Sequence, residues 1–183
     1  KNFIDLEAVP PLQPKQGEAF ATPFAIKVTK DDKLVVASAA SSDKIFTIDT
    51  ESGRLLGSVN VGSVPRGISI EYSHDNKATK AWVLNAVANS VSLVDISSPE
   101  SLKVTATITL EDPTHPIFKR GRIAFNAAHA STTETFSCAS CHPDGHTDQL
   151  LWVLDTPVVT GGNQIMPRST MPLRGLRDTA PFH

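Results

Sequence analysis

No apolar run in this 183-residue chain approaches the ~20 residues needed to cross a bilayer. Charge of one sign is missing too: 17 basic residues stand against 19 acidic ones, a formal charge of −2. That balance excludes the electrostatic footprint expected of a partner for nucleic acid or an anionic membrane surface. The first residues, Lys1-Asn2-Phe3-Ile4-Asp5, lack the basic-then-apolar layout of a secretory leader. A cytosolic protein, a mature secreted product or a piece of something longer all remain open. Cysteine is scarce, with two in the chain, so a multi-bridge disulfide framework is excluded. What remains is 40% apolar and 20% charged, an ordinary globular composition, in a length that suits one domain or two small ones.

Pro10, Pro11, Pro14 and Pro23 fall within the first 23 residues and mark an irregular lead-in, because proline fixes φ and donates no hydrogen bond. Beyond them come short runs that read as strands, at 24–28, 34–37, 44–48 and 55–61. A second set follows at 67–71, 81–84, 90–94 and 104–110. Turn formers separate them: Lys30-Asp31-Asp32-Lys33, Glu51-Ser52-Gly53, Ser73-His74-Asp75-Asn76 and Ser97-Ser98-Pro99.

The two sets read as one unit written twice. Pro23-Phe24-Ala25-Ile26 answers to Pro65-Arg66-Gly67-Ile68, an offset of 42, and the stretch ending at Asp49 answers to the one ending at Asp95, an offset of 46. Four short strands in a period of 40–45 are the signature of a β-propeller blade. The units resemble the propeller repeats named for a Tyr-Val-Thr-Asn signature, with Val36-Ala37-Ser38-Ala39 and Leu84-Asn85-Ala86 standing in its place. A plain antiparallel meander is the alternative. Two blades cannot close a ring, which takes roughly four to eight. The expectation is therefore two bare apolar sheet faces, and further blades supplied by the same protein or another chain.

From Glu111 the character changes. Asp112-Pro113-Thr114-His115-Pro116 reads as a linker, and 117–128 as a short amphipathic helix with Ile117, Ile123, Ala124 and Ala127 on one face, weakened by Gly121. Cys138-Ala139-Ser140-Cys141-His142 follows, the Cys-x-x-Cys-His attachment signal of a c-type haem. Two thiols three positions apart on one turn reach the two vinyl groups of one porphyrin, and the adjacent imidazole then faces the iron. A thioredoxin-like dithiol would want a βαβ setting. A zinc site on Cys138, Cys141, His142 and His146 would need adjacent residues at two corners of a tetrahedron. Covalent haem is matured outside the cytosol, which implies a bacterial periplasm or cell surface.

Gly121-Arg122-Ile123-Ala124-Phe125-Asn126, then Phe136 through Gly145, and Pro172 through His183 resemble the di-haem cytochrome c peroxidase superfamily, which includes the methylamine-utilisation di-haem enzymes. Ala124-Phe125 departs from that group's Leu-Phe. Blades followed by such a module resemble bacterial propeller–cytochrome fusion proteins. The resemblance implies two haems in complete members. One Cys-x-x-Cys-His stands here, and the chain stops inside the family's last segment, so truncation is expected. The reading is thus all-β antiparallel propeller blades, an incomplete propeller, over 1–112, and a small, mainly α cytochrome c-type haem domain over 113–183.

Within it, Cys138 and Cys141 carry the haem and His142 is the proximal iron ligand, with the Pro143 carbonyl placed to accept from its other nitrogen. Met166 and Met171 lie 24 and 29 residues after His142. Met171 is the preferred sixth ligand, with Met166 and His183 behind it. Of Arg168, Arg174 and Arg177, Arg174 is the one chosen to pair with a haem propionate. Trp152 and Phe136 are expected to pack around the haem and Trp82 within a blade, while His146 meets solvent or a propionate. His74 and His115 read as turn and linker. Three functions follow: one-electron transfer by an extracytoplasmic haem protein, alone or as one haem domain of a peroxidase-like enzyme; a propeller-based binding or scaffold module with the haem as relay; and hydrogen-peroxide reduction.

Overall fold

The computed structural model describes residues 3–8, 12–158 and 162–176, with backbone alone for 154–158 and 162–166. The chain divides into two compact units, 1–137 and 138–183. In the first, alternating apolar residues and tight turns produce eight strands: β1 Pro23–Val28, β2 Leu34–Ala39, β3 Lys44–Asp49, β4 Leu55–Asn60, β5 Pro65–Tyr72, β6 Ala78–Asn85, β7 Ser90–Asp95 and β8 Lys103–Thr109. They form two four-stranded antiparallel sheets, each in the order of the chain. The turns use the residues that tolerate left-handed backbone: Asp32 (φ 57°), Asp43 (φ 53°), Gly53 (φ 68°) and Asn76 (φ 59°). Carboxylates close two of them, Asp49 accepting from the Ser52 amide at 2.7 Å and Asp95 from the Ser97 amide at 3.0 Å.

Register shows that the sheets are copies. Leu34 pairs with Asp49 and Ala39 with Lys44; Lys80 pairs with Asp95 and Asn85 with Ser90. Pro23 lies opposite Ala39, as Pro65 lies opposite Asn85, so both sequence offsets hold in space. By this equivalence Val36, Ser38, Ile45 and Thr47 of the first sheet correspond to Trp82, Leu84, Val91 and Leu93 of the second.

One face of each sheet makes the main core. Val36 and Ile45 meet Ile68, Ala81, Val83 and Val94, with Ile96 and Leu102 alongside. Burying each large aliphatic side chain there contributes ~1.5–3 kcal/mol. The sheets approach closely: the Thr47 hydroxyl donates to the Pro99 carbonyl at 2.6 Å, and a Cβ on Gly57 would lie 2.7 Å from that same oxygen.

The expected pair of bare faces is reduced to one. Ala37, Ala39, Phe46 and Ile48 on the far side of the first sheet are covered by Phe20 and Leu6 of the lead-in. The Phe20 and Phe46 rings lie 4.9 Å apart, centre to centre. Lys44 holds the lead-in down by donating to the carbonyls of Gly17 and of Ala19, the latter at 3.1 Å, while the Phe20 amide donates to Glu7 at 2.8 Å. Burial pushes the Lys44 ammonium below its usual range, against the pull of Glu134, Glu18 and Glu7. The lead-in is therefore irregular in backbone but part of the core. The far side of the second sheet stays open, with Leu84 44% and Ile108 49% exposed. Trp82 belongs to that open face and not to the blade interior; its indole donates to Glu71 at 3.0 Å.

Residues 113–137 pack with the first unit. Helix α1, Pro116–Asn126, begins where the His115 ring accepts from the Ile117 amide at 3.3 Å and Pro116 occupies the first turn. So His115 is a helix cap. None of the α1 side chains is buried; the apolar anchor lies just beyond, at Ala127 and Ala128. Lys119 ties the helix down through Asp112 at 2.9 Å and the Ala88 carbonyl at 3.0 Å. Ser137 is buried, its hydroxyl 3.2 Å from that of Ser41.

The second unit differs from the mainly α expectation. Its described residues hold one four-residue helix, α2 Cys138–Cys141, a 3-10 turn Pro143–Gly145, and a two-stranded antiparallel sheet of β9 Leu151–Val158 and β10 Gly162–Ser169. Pro157 and Pro167 would break a helix, while Trp152, Val153, Thr156 and Val158 favour extended backbone.

Candidate functional site

Helix α2 is a single turn, so Cys138 and Cys141 share a face one turn apart, and the His142 amide extends it by donating to the Cys138 carbonyl at 3.0 Å. Both thiols are free, Cys138 exposed and Cys141 half-buried. Burial pushes the Cys141 thiol up, with the charges of Asp148 and Cys138 adding to it. A reactive dithiol needs the reverse shift. The flanks are a 3-10 turn and an antiparallel hairpin rather than a βαβ unit, which also removes the setting a thioredoxin-like site requires.

After His142 the chain turns back on itself. Asp144 (φ 53°) and Gly145 (φ 75°) are consecutive left-handed residues. The Gly145 amide donates to His142 at 3.0 Å, the His146 amide to Pro143 at 2.9 Å and the Asp148 amide to Cys141 at 3.1 Å. The result places the His146 carbonyl 3.3 Å from Nδ1 of His142. This corrects the expected partner: the Pro143 carbonyl is taken by the His146 amide, because the 3-10 turn uses it. A carbonyl only accepts, so the neutral imidazole that makes this contact is the tautomer with its proton on Nδ1, which leaves the Nε2 lone pair for a ligand.

A strip after β10 runs antiparallel to this loop. The Thr147 hydroxyl donates to Thr170 at 2.7 Å, the Leu173 amide to Gly145 at 2.8 Å, and Arg174 reaches the Asp144 carbonyl with Nε at 3.2 Å and one Nη at 3.0 Å. The structure thus brings Arg174 onto the loop that follows Cys141 and His142, with Met171, 60% exposed, on the same strip. It uses the Arg174 guanidinium on backbone, a role the sequence reading missed because a backbone carbonyl leaves no trace in a motif. Trp152 is anchored by its indole to Asp148 at 2.9 Å and Phe136 is exposed. Arg168 lies in β10. The Met166 side chain, Arg177 and His183 lie outside the described residues. Among the described residues no three His, Cys, Asp or Glu side chains converge as a tetrahedral zinc site requires.

The residues present fit the donor set a covalently tethered porphyrin would need: two thiols one turn apart, one exposed and one half-buried, and an imidazole whose Nδ1 lies on a carbonyl.

No family model and no curated protein matches the chain. Among solved structures it is similar to hydrazine synthase of Kuenenia stuttgartiensis (26% identity over 49% of this chain and 24% of that one, TM-score 0.42). It is also similar to the dihydro-heme d1 dehydrogenase NirN in complex with DHE (19% identity, 51% and 18%, TM-score 0.40). A third is the periplasmic gluconolactonase PpgL of Pseudomonas aeruginosa (16% identity, 51% and 27%, TM-score 0.38). The chain spans about a quarter or less of the first two of these proteins. The class of the first unit follows from strand order and register: it is propeller-like, a pair of consecutive four-stranded blades.

Proposed function

We propose that the chain is a c-type cytochrome module for one-electron transfer, working outside the cytosol in a periplasm or at a cell surface. The observation that supports it is the pair of free thiols on one helical turn followed by an imidazole with its Nδ1 already engaged. Cys138 and Cys141 would hold haem c by thioether bonds and His142 its iron, with Met171 as sixth ligand and the free edge of Arg174 toward a propionate. When bound, the haem supplies one-electron chemistry, and the protein sets access and potential. The finer reading is one haem domain of a di-haem peroxidase-like enzyme within a propeller–cytochrome fusion, with a redox partner or further haem outside this chain.

The open face of the second sheet favours a companion role in assembly. Its Trp82, Val91 and Leu93 occupy the register positions that Val36, Ile45 and Thr47 use to meet a neighbouring blade. A further blade, from the same polypeptide or another, would extend the propeller there, and the alternative reading makes this scaffold the main function with the haem as relay.

Export through a haem-maturing periplasm, intact mass and visible spectra test the proposal. The wild-type chain should be coloured and keep its haem on denaturation, and the Cys138→Ser, Cys141→Ser double variant should be colourless. A colourless wild-type chain overturns the reading. A stable six-coordinate iron supports transfer; an open or displaceable site supports peroxide chemistry.

A further inference from the structure

We infer that Arg174 is a positioning residue for the imidazole of His142, acting through the backbone of residues 144–146 in addition to its charge. The inference rests on the haem reading above. Asp144 and Gly145 both have left-handed backbone (φ 53° and 75°), and the loop they form is tied back by its own turn hydrogen bonds and by the strip after β10. Arg174 grips the Asp144 carbonyl with two donors at 3.2 and 3.0 Å, and the neighbouring Leu173 amide takes the Gly145 carbonyl at 2.8 Å. Two consecutive peptide planes are thereby fixed. The next residue is His146, whose carbonyl sits 3.3 Å from His142 Nδ1. The orientation of that carbonyl selects the tautomer, and so the electron donation, of the ligand.

A guanidinium has five N–H donors in a rigid fork. Two go to the Asp144 carbonyl, which leaves the opposite edge for an anion. Charge and fork are therefore separable by mutation. Arg174→Lys keeps the charge and loses the fork; Arg174→Gln loses both. Losing the carbonyl partner of Nδ1 makes imidazole a weaker donor and raises the reduction potential, whereas losing a nearby cation lowers it.

The test has two arms on the full chain, with Arg54→Gln, in an exposed ion pair of the first unit, as control. In the haem-free protein, amide exchange at Gly145 and His146 should quicken roughly tenfold in both Arg174 variants and stay unchanged in the control. In the haem-loaded protein, Arg174→Lys should raise the potential and shift the His142 Nδ1 proton resonance. Arg174 is exposed, so neither substitution threatens the fold. Unchanged exchange in Arg174→Lys, or a potential that responds to Arg174→Gln alone, overturns the inference. If no haem is taken up, the proposed function fails by itself, and the exchange arm still decides whether Arg174 holds the loop.

Discussion

Phe46→Ala decides whether Leu6 and Phe20 of the lead-in belong to the core of the first unit. Phe46 is 1% exposed, and its ring is covered by Phe20 at 4.9 Å with Leu6 and Leu55 nearby. Truncating a buried phenylalanine costs about 3–5 kcal/mol, through lost transfer energy and the cavity left behind. The aromatic pair accounts for about 0.5–1.5 kcal/mol of that. Against a total of about 5–15 kcal/mol for a domain, the loss is large. With a urea m-value of about 1–3 kcal/mol/M, the midpoint should fall by about 2 M. The assay is equilibrium urea unfolding followed by Trp82 fluorescence in a Trp152→Phe background, which isolates the first unit. Phe20→Ala and the double variant complete a cycle, whose coupling should be about 0.5–1.5 kcal/mol. If the lead-in did not cover this face, Phe46 would stand in water. A cost below about 1 kcal/mol, or strict additivity with Phe20→Ala, would refute the assignment.

Gly57→Ala should cost about 1–3 kcal/mol, since its Cβ would meet backbone at Pro99 and Glu100, 2.7–3.0 Å away, which cannot rotate aside; urea unfolding reads it, and a neutral result means the sheets stand further apart. Asp112 is held down to about 2 by its hydrogen bond from Lys119 and then by Thr114. A depressed carboxylate stabilises the fold above its ordinary value of 3.8 and loses that contribution as pH falls through about 2. Asp112→Asn should therefore lower Tm at pH 6, with the gap to the wild type narrowing below pH 3.8 and closing below about 2, and a pH-independent gap would contradict this. Leu84→Lys on the open face should change stability by no more than about 0.5 kcal/mol and reduce self-association in light scattering; a loss above about 2 kcal/mol would show the face to be covered.

The strands were legible because turn residues and alternating side chains act locally. Asp32, Asp43, Gly53 and Asn76 bend the chain whatever lies beyond them, and the 42- and 46-residue offsets reappear as paired registers. The hairpin of β9 and β10 was not legible, because its apolar run is short and lies among Pro and Gly that suggest irregular chain. Trp82 was misplaced for a different reason: alternation tells which residues share a face but not which face is covered. The cap over Phe46 was invisible for the same reason, since its partners Leu6 and Phe20 lie in proline-rich sequence with no period.

What the sequence determined by itself was the repeated four-strand unit and the Cys-x-x-Cys-His motif, since both are set by spacing along the chain: two residues per strand pleat and one helical turn between thiols. Only the tertiary structure decided that Lys44 closes one face with the lead-in while the other stays open, and that Arg174 lies on the Asp144 carbonyl 30 residues away. Those contacts depend on which backbone groups the fold brings within 3 Å or so, and a carbonyl has the same chemistry at every position of the chain.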